Sequence, residues 1–209
     1  MSTKSENRKK GVGALAGRRG ATVVNGVLKA TGEELNAVGY AALRVEDVAE
    51  RAGVNKTSIY RRWPTKDELV IDALRHGYQE QLFIPDTGDL REDMLAYFRH
   101  MIKQVKNPIP RGAMVTLHNC SEPSIMPIAL ELLDRAREVR VQIVKRSIER
   151  GELPASVDPE IISDLFSAPI LRRLLTFGEN VKPRYIEYVI DIVIAGANAA
   201  VSPRKTRKK

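Results

Sequence analysis

Val45-Glu46-Asp47-Val48-Ala49-Glu50-Arg51-Ala52-Gly53-Val54-Asn55-Lys56-Thr57-Ser58-Ile59-Tyr60-Arg61-Arg62-Trp63-Pro64 is the stretch that decides how this chain folds. Val45, Val48, Ala49 and Ala52 follow the i, i+3, i+4, i+7 rule and predict a short helix, which Gly53 breaks where a tight turn needs a positive φ. Asn55 is placed to cap a second short helix whose apolar positions are Ile59 and Trp63; Pro64 ends it by pushing Trp63 out of the α region. Two short helices joined by a glycine turn are the arrangement that delivers a helix into a DNA major groove. The side chains suit that use. Lys56, Thr57 and Ser58 lie on the exposed N-terminal face, where a lysine and two hydroxyls meet base edges or phosphates. Tyr60, Arg61 and Arg62 follow as phosphate and sugar donors, and Lys66 strengthens the positive start of the next helix, itself an attractor of phosphate.

Working outward, Val24, Val27, Leu28, Thr31, Leu35 and Val38 share one helical face, and Gly39 is placed to stop that helix. Gly26 and Gly32 lower its intrinsic helicity, so tertiary packing must hold it. On the other side, Thr65 and Glu68 form a T-x-x-E capping box opening a longer amphipathic helix through Leu69, Leu74 and Tyr78 to about Leu82. Pro85, Gly88 and Asp89 mark a loop. Helical stretches follow at about 90–106, 110–119, 123–150, 158–177 and 183–201, punctuated by Pro108, Pro110, Pro123, Gly151, Pro154, Pro159, Gly178 and Pro183, with no useful strand-like alternation and no internal repeat. The expected fold is all-α: a three-helix DNA-binding domain with a helix-turn-helix, followed by a helical bundle. The expected division is a flexible basic arm at 1–19, the DNA-binding domain at 20–66, the larger domain at 67–202 and a basic tail at 203–209.

Composition bounds the alternatives. At 209 residues, 43% hydrophobic and 5% aromatic, the chain has room for one or two domains with an aliphatic core. The net charge of +8 is concentrated at the ends: residues 1–20 hold six Lys/Arg against one Glu, and residues 203–209 hold five with no acid, which leaves the body slightly negative. Such tails add salt-dependent phosphate attraction or are simply solvated. The longest apolar run, Tyr188 to Val201, is interrupted by Asp191 and Asn198 and falls short of the roughly 20 residues that span a bilayer. The basic N-terminus has no apolar core behind it, and the single cysteine, Cys120, makes no intrachain disulfide, so a cytoplasmic location is expected. No cofactor or metal is expected: His76, His100 and His118 lack metal-site spacing, and there is no C-x-x-C, glycine-rich phosphate loop or G-x-S-x-G. An enzyme is therefore not expected.

Ala49-Glu50-Arg51-Ala52-Gly53-Val54, followed by Ile59-Tyr60-Arg61-Arg62-Trp63-Pro64-Thr65-Lys66-Asp67-Glu68-Leu69, resembles the DNA-binding signature of tetracycline-repressor-like (TetR/AcrR) regulators. The resemblance covers about residues 20–70. It implies a homodimer whose first three helices read double-stranded DNA, whose fourth transmits, and whose remaining helices bind an effector and dimerise. It also implies that Lys56, Thr57 and Ser58 take the family's base and phosphate positions, Tyr60 and Lys66 its phosphate contacts, and Trp63 its core aromatic position. One position departs from the pattern. Arg44 stands where the family commonly has Thr or Ser as a helix cap; arginine cannot accept the backbone N–H bonds, and a charge contact to phosphate is expected instead, with a simply exposed arginine as the competing reading.

In the second half, Tyr78, Tyr97, Phe98, Met101, Met114, Leu117, His118 and Met126 are candidates to line a pocket for a small, apolar effector, with core packing as the competing reading. Phe166, Ile170, Leu174 and Phe177, with Ile186, Val189, Ile190 and Val193, give two long apolar faces whose pairing across a two-fold axis would make a four-helix dimer interface, with packing only within the monomer as the competing reading. Dimerisation suits the reading head, because one short helix reads few bases and two must lie about 34–36 Å apart or a multiple of that. The expected function is a ligand-released repressor on a palindromic operator. The alternative is an activator or constitutive repressor whose second half only dimerises.

Overall fold

The computed structural model describes the backbone of residues 6–79, 83–119 and 122–200, with side chains described for 20–78, 83–119 and 122–200. Leu82, Cys120 and the basic tail at 203–209 lie outside the described residues. The described chain holds nine α-helices and no strand: α1 Glu6–Ala42, α2 Val45–Ala52, α3 Lys56–Tyr60, α4 Lys66–Gln79, α5 Leu90–Val105, α6 Pro108–Asn119, α7 Met126–Glu149, α8 Pro159–Leu171 and α9 Pro183–Ala200. A π-helical turn, Arg172–Thr176, extends α8 beyond its internal Pro169.

The first helix differs from expectation at its start. Backbone read as an arm is helical from Glu6, continuous with the rest of α1. Ala14, Leu15, Ala16 and the lysines and arginines around them favour helix where Gly11, Gly13 and Gly17 oppose it, and adding turns to an existing helix needs no new nucleus. Near its end α1 bends at Gly39, whose φ of 74° and ψ of 173° lie in a region essentially reserved for glycine. Val38, expected on the buried face, is exposed and borders an open groove against Val115, Thr116 and Asn119 of α6.

Two apolar cores result. The first joins Val27 and Leu35 of α1, Val45 and Val48 of α2, Ile59 and Trp63 to Leu69, Val70 and Leu74 of α4, and runs on into Leu117 of α6 and Leu132 of α7. Packing therefore does not divide at residue 66. The second core gathers Met94 and Phe98 of α5, Ile143 and Val144 of α7, Phe166 and Ile170 of α8, and Ile186 and Ile190 of α9. Helices α1 and α6 meet at two glycines: a Cβ on Gly112 would stand 2.3 Å from the Gly32 carbonyl oxygen, and one on Gly32 would stand 2.7 Å from Ile109 Cγ2. Only residues without side chains allow this approach. It fixes α1 directly on α6.

Candidate DNA-reading surface and internal cavity

Arg44 sits at the N-cap of α2 in extended conformation and makes no side-chain cap bond, as its chemistry requires. Glu46 and Asp47 in the first turn complement the helix dipole instead. Gly53, at φ 64° and ψ 34°, closes α2 in the left-handed region, and Val54 N–H returns to the Ala49 carbonyl at 3.0 Å. Asn55 Oδ1 then accepts from Thr57 N–H at 2.9 Å and opens α3. Ile59 and Trp63 are buried anchors, and Trp63 Nε1–H donates to Asp72 Oδ2 of α4 at 2.8 Å. With that side pinned, Asn55, Lys56, Thr57, Ser58, Tyr60, Arg61 and Arg62 are all exposed, as is Arg44.

Four of the expected DNA-contacting side chains have partners in the protein, Arg62 among them with its guanidinium carbon 5.4 Å from the centre of the Trp63 ring. The Asn55 carbonyl oxygen is engaged in the cap. Lys56 Nζ lies 3.6 Å from Glu46, an exposed pair that a phosphate can displace at small cost. Lys66 is half-buried, its Nζ 4.3 Å from the centre of the Tyr40 ring and 3.4 Å from the Ala41 carbonyl. The sequence reading missed Tyr40. Its hydroxyl donates to Asp67 Oδ1 at 2.5 Å and so ties the end of α1 to the start of α4. Burial, and then the bond to Asp67, push the Tyr40 pKa up to about 12, while the same bond holds the Asp67 carboxyl below its ordinary value. Arg51 clamps α2 to α1, at 2.6 Å from Glu34 and 3.6 Å from Glu33.

A cavity of about 250 Å³ opens inside the bundle between α4, α5, α6, α7 and α8. Tyr78, Tyr97, Met101, Met114 and His118 line it as expected. Phe98 is instead packed in the second core and Leu117 in the first, while Met126 begins α7 away from the cavity. The remaining wall comes from Leu133, Asp134, Ala136, Arg137, Val139 and Arg140 of α7 and from Leu171 beside the π-helical turn. His118 borders this open space, and its Nδ1–H donates to the Met114 carbonyl at 2.8 Å. Partial desolvation against the cavity wall lowers its pKa, the Met114 bond opposes this, and the Arg140 charge adds to the lowering. Among the described residues no cluster of His, Cys, Asp or Glu is arranged to hold a metal, and no helix is long and apolar enough to cross a membrane.

The expected dimer face requires correction. Phe166, Ile170, Leu174, Ile186, Val189 and Ile190 are buried within the monomer, and Val193 is half-buried against the same core. They knit α8 and α9 to α5 and α7. The unpartnered apolar face of these two helices is the opposite one: Ile161 and Leu165 on α8, 58% and 51% exposed, with Tyr188 and Ile192 on α9, 65% and 53% exposed. Phe177, after the π-helical turn, is also exposed, with Arg172 4.6 Å over its ring.

Residues 27–73 match the family described as bacterial regulatory proteins, tetR family, and residues 84–193 match the tetracyclin repressor-like C-terminal domain. The chain is 27% identical over 185 residues to the HTH-type transcriptional regulator AqdR of Rhodococcus erythropolis, covering 88% of this chain and 89% of that one. It is 30% identical over 162 residues to the DNA-binding transcriptional repressor TetR of Mycobacteroides abscessus, covering 75% and 83%. Among solved structures, it is similar to the TetR family transcription regulator SCO0332, with 29% identity, a TM-score of 0.61 and coverage of 83% and 97%.

Proposed function

The chain belongs to the tetR family of bacterial regulatory proteins and is a DNA-binding transcriptional regulator, and on that premise we propose that it is a homodimeric repressor released from a palindromic operator by a small molecule. In this reading residues 20–66 form the reading head and residues 67–202 the effector and dimer domain. Lys56, Thr57 and Ser58 address base edges, and Arg44, Tyr60, Arg61 and Arg62 hold phosphates. Lys66 joins them by leaving the Tyr40 ring. The free faces of α8 and α9 pair with those of a second copy and set the spacing of the two heads.

One observation carries the release mechanism: α4 touches both ends of the path. Its Asp72 holds Trp63, the scaffold of α3, and its Tyr78 stands in the cavity wall. Its 14 residues span about 20 Å. Helix α6 offers a parallel route, with Met114 and His118 on the cavity and Gly112 locked against α1. An effector that binds the released arrangement more tightly than the DNA-bound one moves both helices and spoils the head spacing.

The test is fluorescence anisotropy of the full chain on palindromic DNA selected from a random pool, titrated with a small-molecule library. Release by a compound that also raises the melting temperature of the free protein supports the reading. A protein that binds cavity ligands without leaving DNA contradicts it.

A further inference from the structure

The cavity wall contains a charge that pairs with no carboxylate among the described residues. Arg140 is 7% exposed, buried among Tyr97, Met101 and Val139. Its Nη1 donates to the Tyr97 hydroxyl at 3.2 Å, and its guanidinium carbon lies 6.0 Å from the centre of that ring. Its Nε is buried with no hydrogen-bond acceptor, and among the described residues no carboxylate stands within ion-pair distance of it. Arg137, one turn earlier on α7, shows the contrast: it is 3.0 Å from Glu160 and 3.0 Å from Asp164. A buried guanidinium left without a counter-charge is costly, and evolution tolerates it where something else supplies the charge.

We propose that the effector is a compact carboxylic acid, its carboxylate seated on the Arg140 guanidinium and its apolar body against Met101, Met114 and Leu171. This departs from the expectation of an apolar ligand, and it rests on reading the cavity as the effector site. The planar fork of arginine matches the two carboxylate oxygens in a way that neither an alcohol nor an amine reproduces. The Tyr78 hydroxyl sits in the same wall as a secondary hydrogen-bond donor, and His118 borders it with its Nδ1 held by the Met114 carbonyl. Asp134 also lines the cavity, but it is exposed and lies beyond ion-pair distance of Arg140. At about 250 Å³ the cavity falls just under the range of roughly 300–1,000 Å³ usual for ligand sites, so the acid is small.

Calorimetric titration of the full chain with hexanoate, octanoate and phenylacetate, against the matching alcohols and amines, tests this. At least one carboxylate is expected to bind about tenfold or more tighter than its alcohol, with the amine weakest. Arg140→Gln is expected to erase that preference while alcohol binding persists, and Arg140→Lys to keep part of it. Equal binding of acid and alcohol by the wild-type chain, no binding by any carboxylate, or a preference that survives Arg140→Gln overturns the proposal. The wild-type comparison decides the matter even where a variant fails to fold. Operator binding measured in the same samples separates the two readings: a carboxylate that binds through Arg140 without releasing DNA leaves the anion site standing and overturns ligand release. Release by neutral compounds alone does the reverse.

Discussion

Trp63 shows how one side chain fills a core and ties two helices at once. Its ring fills the first core, and its indole N–H is committed to Asp72, so α3 cannot rock without disturbing α4. Trp63→Phe preserves most of the packing but leaves the Asp72 carboxylate without its donor; a loss of about 1–2 kcal/mol is expected in urea unfolding followed by circular dichroism. Arg44 is the opposite case. It makes no cap bond, so Arg44→Ala should leave stability unchanged while reducing the slope of log operator affinity against log salt by about one. His118 carries a pH signature. Its folded pKa lies below the unfolded value, so its contribution is fully present above about pH 6.5 and is lost as pH falls through the folded pKa. The wild-type melting temperature is therefore expected to drop more than that of His118→Gln on acidification from about pH 7 to pH 5, by an amount moderated by the ring's exposure to the open cavity.

At the scale of elements, the α1–α6 crossing depends on two glycines. Gly112→Ala would drive a methyl against the Gly32 carbonyl and the Asn36 backbone nitrogen, and backbone on both sides leaves no flexible neighbour to yield. The expected cost is about 1–3 kcal/mol, read by thermal or urea denaturation. The sequence makes such helices legible but not such crossings. Proline and glycine punctuation, the Thr65–Glu68 box and the Asn55 cap mark helix ends through local chemistry, and the structure has them there. Gly32 reads only as a weak helix former, because its value depends on a residue eighty positions away. The cavity was half legible for the same reason. Tyr97, Met101 and Met114 advertise an apolar wall, whereas Arg137 and Arg140 lie in a helix dense with charges that reads as solvated. On α8 and α9 both faces are apolar, so periodicity finds the helices without saying which side turns inward.

At the scale of the whole molecule, the proposed dimer uses the exposed stripe on α8 and α9 to hold two reading heads in register. Leu165→Asp together with Ile192→Asp places charge on that stripe without touching the buried face, and sedimentation velocity should then show a monomer that retains its helical circular dichroism. Such a monomer should also lose specific operator affinity while keeping weak, salt-sensitive binding. The central claim is that this chain reads DNA through the exposed face of α3, two copies at a time. The most direct measurement is the affinity and stoichiometry of the full chain on palindromic DNA selected from a random pool, compared with Lys56→Ala and Tyr60→Ala. The account predicts an even number of chains per palindrome and a marked loss of affinity in both variants. A single chain bound to one half-site, or undiminished affinity in both variants, would contradict it.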